Sequence, residues 1–280
     1  MFFSTVQPSI VSLFSSTGSD PLALFSTNVD HSLPSDSFIS LLNDSTSLPL
    51  PPQPATLIVL PPLYAENEEN LERDEGIPKE GRSLDQTVLH IQSPTLRTTY
   101  ILCPADATSF DSPTGVAHKR EKELGLKHPW VHLQVRNVAR EWSFELGVVD
   151  KSGREGIIRC STFQKEPNLK LVTPPLLHLP LAFPTSSSRP LTAWSTISIN
   201  LPPLLPHFSS AALTKTHGED DSDDNQTARR SNAASQVPNG TYSHCSYVKV
   251  YATCRLRRIW FSESAPQQNL PWEFQLYSST

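Results

Sequence analysis

W-V-H-L-Q-V-R-N-V-A-R-E-W-S-F-E-L-G-V-V, residues 130–149, carries a period of two twice over. Val131, Leu133 and Val135 alternate with His132, Gln134 and Arg136, and Trp142, Phe144, Leu146 and Val148 alternate with Ser143, Glu145 and Gly147. Successive side chains of an extended chain point to opposite faces, so each half reads as a strand with one buried side. The short piece from Asn137 to Glu141 reads as a hairpin loop, and D-K-S-G at Asp150 to Gly153 as the turn before a further strand at Ile157 to Phe163.

The same spacing recurs outward from this stretch. Ile197, Ile199 and Leu201 line one side of Trp194 to Leu201, and Val248, Val250, Ala252 and Cys254 alternate with Tyr247, Lys249, Tyr251 and Thr253. Leu89 to Leu102 holds two short candidates divided by Ser93 and Pro94. Lys119 to Leu126 has room for a helical turn or two, and no long stretch has a 3.6-residue period. Many short strands joined by proline-rich connections predict an all-β fold, a jelly-roll-like antiparallel β-sandwich.

Twenty-six prolines against ten glycines, with 18% charged residues, place much of the chain in connections. Residues 43–83 combine a proline-rich stretch with the acidic run Glu66 to Glu75, and residues 209–240 are polar and acidic without a period. Neither holds enough apolar area to offset the entropy of ordering, so both read as disordered insertions in one discontinuous domain of about 1–42, 84–208 and 241–280. Each acidic run sums to −5, so the formal −5 of the chain leaves +5 on the remainder. That balance suits an acidic protein surface and lacks the dense basic face of a nucleic-acid binder.

No apolar run approaches a membrane span, and the N-terminal residues lack the basic start of an export signal, which predicts a reducing compartment with Cys103, Cys160, Cys245 and Cys254 free and mostly buried. G-x-S-x-G, G-x-G-x-x-G and P-loop patterns are absent, and no catalytic residue, cofactor or metal is assigned. Cys103 near Asp106 ends an apolar strand, the wrong setting for a reactive thiolate. His244, Cys245 and Cys254 do not have zinc-finger spacing. Trp142 and Trp194 lie in strand patterns that assign them to the core, while Trp130 leaves a carbohydrate-stacking reading open. The candidate partner-binding residues are Arg255, Arg257 and Arg258, whose guanidinium groups match carboxylates. Two adjacent arginines interrupt the alternation before Ile259, which predicts a bulge.

Several stretches together resemble one family. They are Ile10 to Leu22 (I-V-S-L-F-S-S-T-G-S-D-P-L), Thr98 to Asp106 (T-T-Y-I-L-C-P-A-D), Leu124 to Pro129 (L-G-L-K-H-P), L-T-A-W-S-T-I-S-I-N-L around Trp194, Ala252 to Glu263 (A-T-C-R-L-R-R-I-W-F-S-E) and Leu270 to Tyr277 (L-P-W-E-F-Q-L-Y). In this order they are similar to the cilia- and flagella-associated protein 20 family. The resemblance implies a single β-sandwich without enzymatic activity at the inner junction of axonemal doublet microtubules, with tubulin and other axonemal proteins as partners. It implies a cytoskeletal location in cilium or basal body, or a nuclear one, and no secretion or membrane. The chain departs from the family in its two insertions and in Pro202, Pro203 and Pro206, which replace a helix-like stretch after Leu201. A nuclear or cytoplasmic protein-binding scaffold is the alternative, and a carbohydrate-binding sandwich a further one.

Overall fold

The computed structural model describes residues 2, 6–49, 86–105, 123–183, 193–214, 237–265, 270–274 and 276. The strands are β1 (Ile10–Ser15), β2 (Ser26–Asn28), β3 (Phe38–Asn43), β4 (Thr87–Gln92), β5 (Tyr100–Cys103), β6 (Trp130–Asn137), β7 (Ser143–Asp150), β8 (Glu155–Ser161), β9 (Asn168–Lys170), β10 (Leu176–Pro180), β11 (Trp194–Asn200), β12 (Tyr242–Tyr251) and β13 (Cys254–Ser262). One sheet runs β11-β6-β13-β4-β3 with β1 also on β13, and the other runs β2-β5-β12-β7-β8-β10-β9. All neighbours are antiparallel except β8 and β10. This is the expected all-β sandwich.

Its core lies between the sheets. Phe14, Leu89, Ile91, Val131, Leu133, Leu256, Ile259 and Phe261 meet Ile101, Trp142, Phe144, Leu146, Val248 and Val250, each essentially inaccessible to solvent. Burial on this scale is the main favourable term for folding, at about 25 cal/mol per Å² of apolar surface.

Asn137 to Glu141 does not close a hairpin, because β6 pairs with β11 and β13 while β7 pairs with β12 and β8 in the opposite sheet. Val131, Leu133 and Val135 thereby face Phe144, Leu146 and Val148 across the core instead of sharing one crowded face. Likewise the alternation from Val248 to Cys254 is not one strand. It turns a corner between sheets at Ala252 and Thr253, whose amides donate to the carbonyls of Thr99 and Glu141. The pattern survives the corner because both strands keep the same side toward the interior. The hairpin through Asp150 to Gly153 is present, with β7 and β8 in register from Ser143–Ser161 to Val149–Glu155.

Lys119 to Arg120 and the next two residues lie outside the described residues, and Glu123 to Leu126 is extended, not helical. Leu124 and Leu126 are fully buried, Leu126 bridges Cys245, and Gly125 at φ +74° supplies the left-handed kink between them.

After Leu201 the prolines do not abolish helical structure. Pro202–Ser209 forms a 3-10 helix, where prolines in the first turn remove only amides that would lack a partner anyway. It drives Leu205 and Phe208 into the core. A second short 3-10 turn, Ala211–Leu213, follows inside the stretch read as an insertion. Residues 215–236 of that insertion, residues 50–85 and Asp106 lie outside the described residues.

A Cβ on Gly156 would stand 2.7 Å from Phe208 Cζ and 2.8 Å from Pro238 Cγ. Gly156→Ala is therefore expected to cost about 1–3 kcal/mol by overpacking, read as a lower urea midpoint at unchanged m-value.

Candidate interaction site

In most sandwiches the outer face of a sheet meets water, yet here the outer face of the β6–β13 sheet is a buried polar layer. His132 and Gln134 of β6, His90 of β4, and Arg255 and Trp260 of β13 are each less than a tenth exposed. The layer is roofed by the C-terminal segment, where a 3-10 turn at Trp272–Phe274 buries Phe274. The Phe274 ring packs edge-on to Trp260 at 5.1 Å, and its carbonyl accepts from Gln134 Nε2. Leu276 packs beside Leu42, Val88 and Trp194.

The predicted bulge is present, since the β6–β13 register slips between Leu256 and Arg258 and Arg257 is the extra residue. Its effect differs from the expected outward display, because two of the three arginines turn into the polar layer. Arg255 Nη1 sits 2.7 Å from Asp44 Oδ1 and 2.8 Å from the Asp44 carbonyl, and its Nη2 donates to Ser47 Oγ at 2.7 Å. Arg257 donates to Gln134 Oε1 at 2.7 Å, to Gln86 Oε1 at 3.0 Å and to the Glu273 carbonyl at 3.3 Å. Burial, and then the neighbouring Arg258, push its guanidinium below the ordinary value. Arg258 alone is half-buried, with its guanidinium carbon 4.8 Å from the centre of the Phe274 ring.

Asp44 is the hub of this layer. Its side chain is fully buried and accepts from Arg255, from Arg136 Nη1 at 2.9 Å and from Trp194 Nε1 at 2.8 Å. Two cations and an indole N–H thus share one carboxylate, the arrangement that compensates a buried charge. Asp44 and Gln86 belong to the two ends of the β3–β4 connection, and the Asp44 amide donates to the Gln86 carbonyl at 2.9 Å.

His132 lies flat between Trp130, 6.3 Å away at 11°, and Trp260, 4.8 Å away at 15°. Its ring nitrogens contact Ser198 Oγ and Ser262 Oγ, both at 2.8 Å. Ser262 donates to the Ser264 carbonyl, so it accepts from His132 Nε2–H. Burial lowers His132 to about 4, and burial followed by Arg159 and Lys170 lowers His178 to about 4. Both folded pKa values lie below the unfolded 6.5, so the unfolded chain binds more protons between those limits. Stability is expected to be full above pH 6.5 and to fall as pH drops toward 4. The combined loss is on the order of 2–4 kcal/mol, and a His132→Gln, His178→Gln double variant should flatten a denaturation series across that window.

The remaining sequence candidates also find places. Cys103, Cys160, Cys245 and Cys254 are all free and buried, and burial raises the thiols of Cys103, Cys160 and Cys254 to about 12. Cys103 is thus a protonated core residue and no nucleophile. Cys245 and Cys254 stand on strands of opposite sheets, and His244 pairs with Glu123 at 3.1 Å. Trp142 is a core residue as expected, Trp194 and Trp260 are buried in the outer layer, and Trp130 is left as the half-open indole among those whose side chains are described. A lone ring does not make a sugar-stacking platform. Thr98 and Thr99, at the start of the T-T-Y-I-L-C stretch, clamp Asp30. Its carboxylate accepts from Ser32, Thr95 and Thr98, and its amide donates to Thr99 Oγ1 at 3.1 Å. Those bonds, led by the Ser32 hydroxyl, hold the Asp30 carboxyl well below its usual range.

A two-sheet body with a filled core and a polar layer strapped by its own C-terminal segment defines a β-sandwich module. Residues 80–217 match the CFA20 domain. The chain is 28% identical over 195 residues to cilia- and flagella-associated protein 20 of Chlamydomonas reinhardtii, covering 69% of this chain and 75% of that protein. It is 24% identical over 197 residues to the protein of the same name in Paramecium tetraurelia, covering 70% and 76%. With that of Caenorhabditis elegans it shares 23% over 195 residues, covering 69% and 70%. Over about 70% of its length the chain is similar to the cilia- and flagella-associated protein 20 family.

Proposed function

We propose that this chain is a non-enzymatic structural protein of the cilium or flagellum, seated at the inner junction of axonemal doublet microtubules and contacting tubulin through its surface. The observation that carries the reading is the match of residues 80–217 to the CFA20 domain, supported by a body whose interior is filled with apolar side chains and by buried thiols held protonated. The described residues contain no helix long and apolar enough to cross a membrane.

Of the three arginines first proposed as partner contacts, Arg255 and Arg257 support the surface from behind and Arg258 stays at its rim. Co-sedimentation with purified doublet microtubules tests the reading. The chain should pellet with doublets, and a chain that stays in the supernatant at every doublet concentration would overturn it.

A further inference from the structure

We propose that Arg258 is an anion-binding site for a carboxylate in an acidic segment of a partner protein, an inference that rests on the surface-binding reading above. Arg255 and Arg257 each have internal acceptors, whereas the Arg258 guanidinium makes no hydrogen bond or ion pair among the described residues. Its Nε–H has no acceptor among the described residues. Arg258 is only half-buried, so an acceptor for the rest of its guanidinium can come from outside.

The surroundings suit an anion. Ser15 and Ser12 of β1 stand opposite Arg258 and Trp260 in the ladder, and Ser15 Oγ lies 3.2 Å from Thr17 Oγ1. Ser12 and Thr17 are exposed. The guanidinium carbon lies 4.8 Å from the centre of the Phe274 ring, close enough for a cation–π contact. Glu273 favours the Arg258 charge without pairing to it, while burial works against that charge. A carboxylate arriving from outside would relieve that cost. The occupant is an acidic protein segment, because the chain outside its two acidic runs carries a net +5.

Fluorescence anisotropy of a labelled octaglutamate peptide against the full chain tests the site. The peptide should bind the native chain, lose at least fivefold in affinity with Arg258→Ala, recover only in part with Arg258→Lys, and be unaffected by Arg140→Ala at an exposed cation elsewhere. Equal binding by native and Arg258→Ala chains, or none by the native chain, overturns the proposal. A second readout needs no variant, since the Arg258 Nε resonance of the native chain should shift on adding peptide, and a resonance that stays put also counts against the site. The two proposals fail separately. A chain that pellets with doublets yet ignores octaglutamate loses this site alone, and one that binds octaglutamate through Arg258 yet never pellets loses the axonemal role alone.

Discussion

Asp44→Ala lowers the stability of the chain by about 3–5 kcal/mol, the largest loss expected from any single polar substitution in it. The carboxylate is fully buried, and Arg255 and Arg136, with side chains 10% and 26% exposed, converge on one of its oxygens. Removing it leaves two cations facing each other with no counter-charge and deprives Trp194 Nε1 of its acceptor. For a domain of this size the loss corresponds to a fall in Tm of about 10 °C. Removing both partners is a different matter, because a buried pair returns little over an apolar replacement. An Asp44→Leu, Arg255→Met double variant should be less destabilised than Asp44→Ala, and thermal melts of the single and double variants provide the check.

Trp260→Ala is expected to cost a similar 3–5 kcal/mol by a different route. The ring is fully buried, stacks on His132 and meets Phe274 edge-on. Its loss opens a cavity in the outer layer and unseats the C-terminal segment. The variant should show a lower denaturation midpoint together with faster proteolytic trimming from the C-terminus. Trp260→Phe, which keeps an aromatic ring, should recover most of both.

The strands were legible because their signal is local. Val131, Leu133 and Val135, or Ile197 and Ile199, declare a buried face within a few residues, and the structure uses those faces as read. Which sheet each strand joins was not legible at the corners. A period of two runs through Ala252 and Thr253 without a break, since turning from one sheet to the other preserves the inward side. The fate of the arginines was hidden for a related reason. The break in alternation at Arg257 marked the bulge, but the acceptor that draws Arg255 inward is Asp44, 211 residues away in sequence and within a stretch whose composition reads as an insertion. A carboxylate after an apolar strand is an ordinary turn residue until its partners are placed around it. The buried outer face was equally hidden, because His132, Gln134 and Arg136 look like the wet side of a strand, and only the returning C-terminal segment makes them interior.

The most direct measurement expresses the tagged chain in a ciliated cell that lacks its own member of this family and follows it through detergent extraction of the axoneme. The account predicts that the chain stays with the extracted doublets along the length of the cilium. A chain left wholly in the detergent-soluble or nuclear fraction, in a cell whose cilia otherwise assemble, would contradict it.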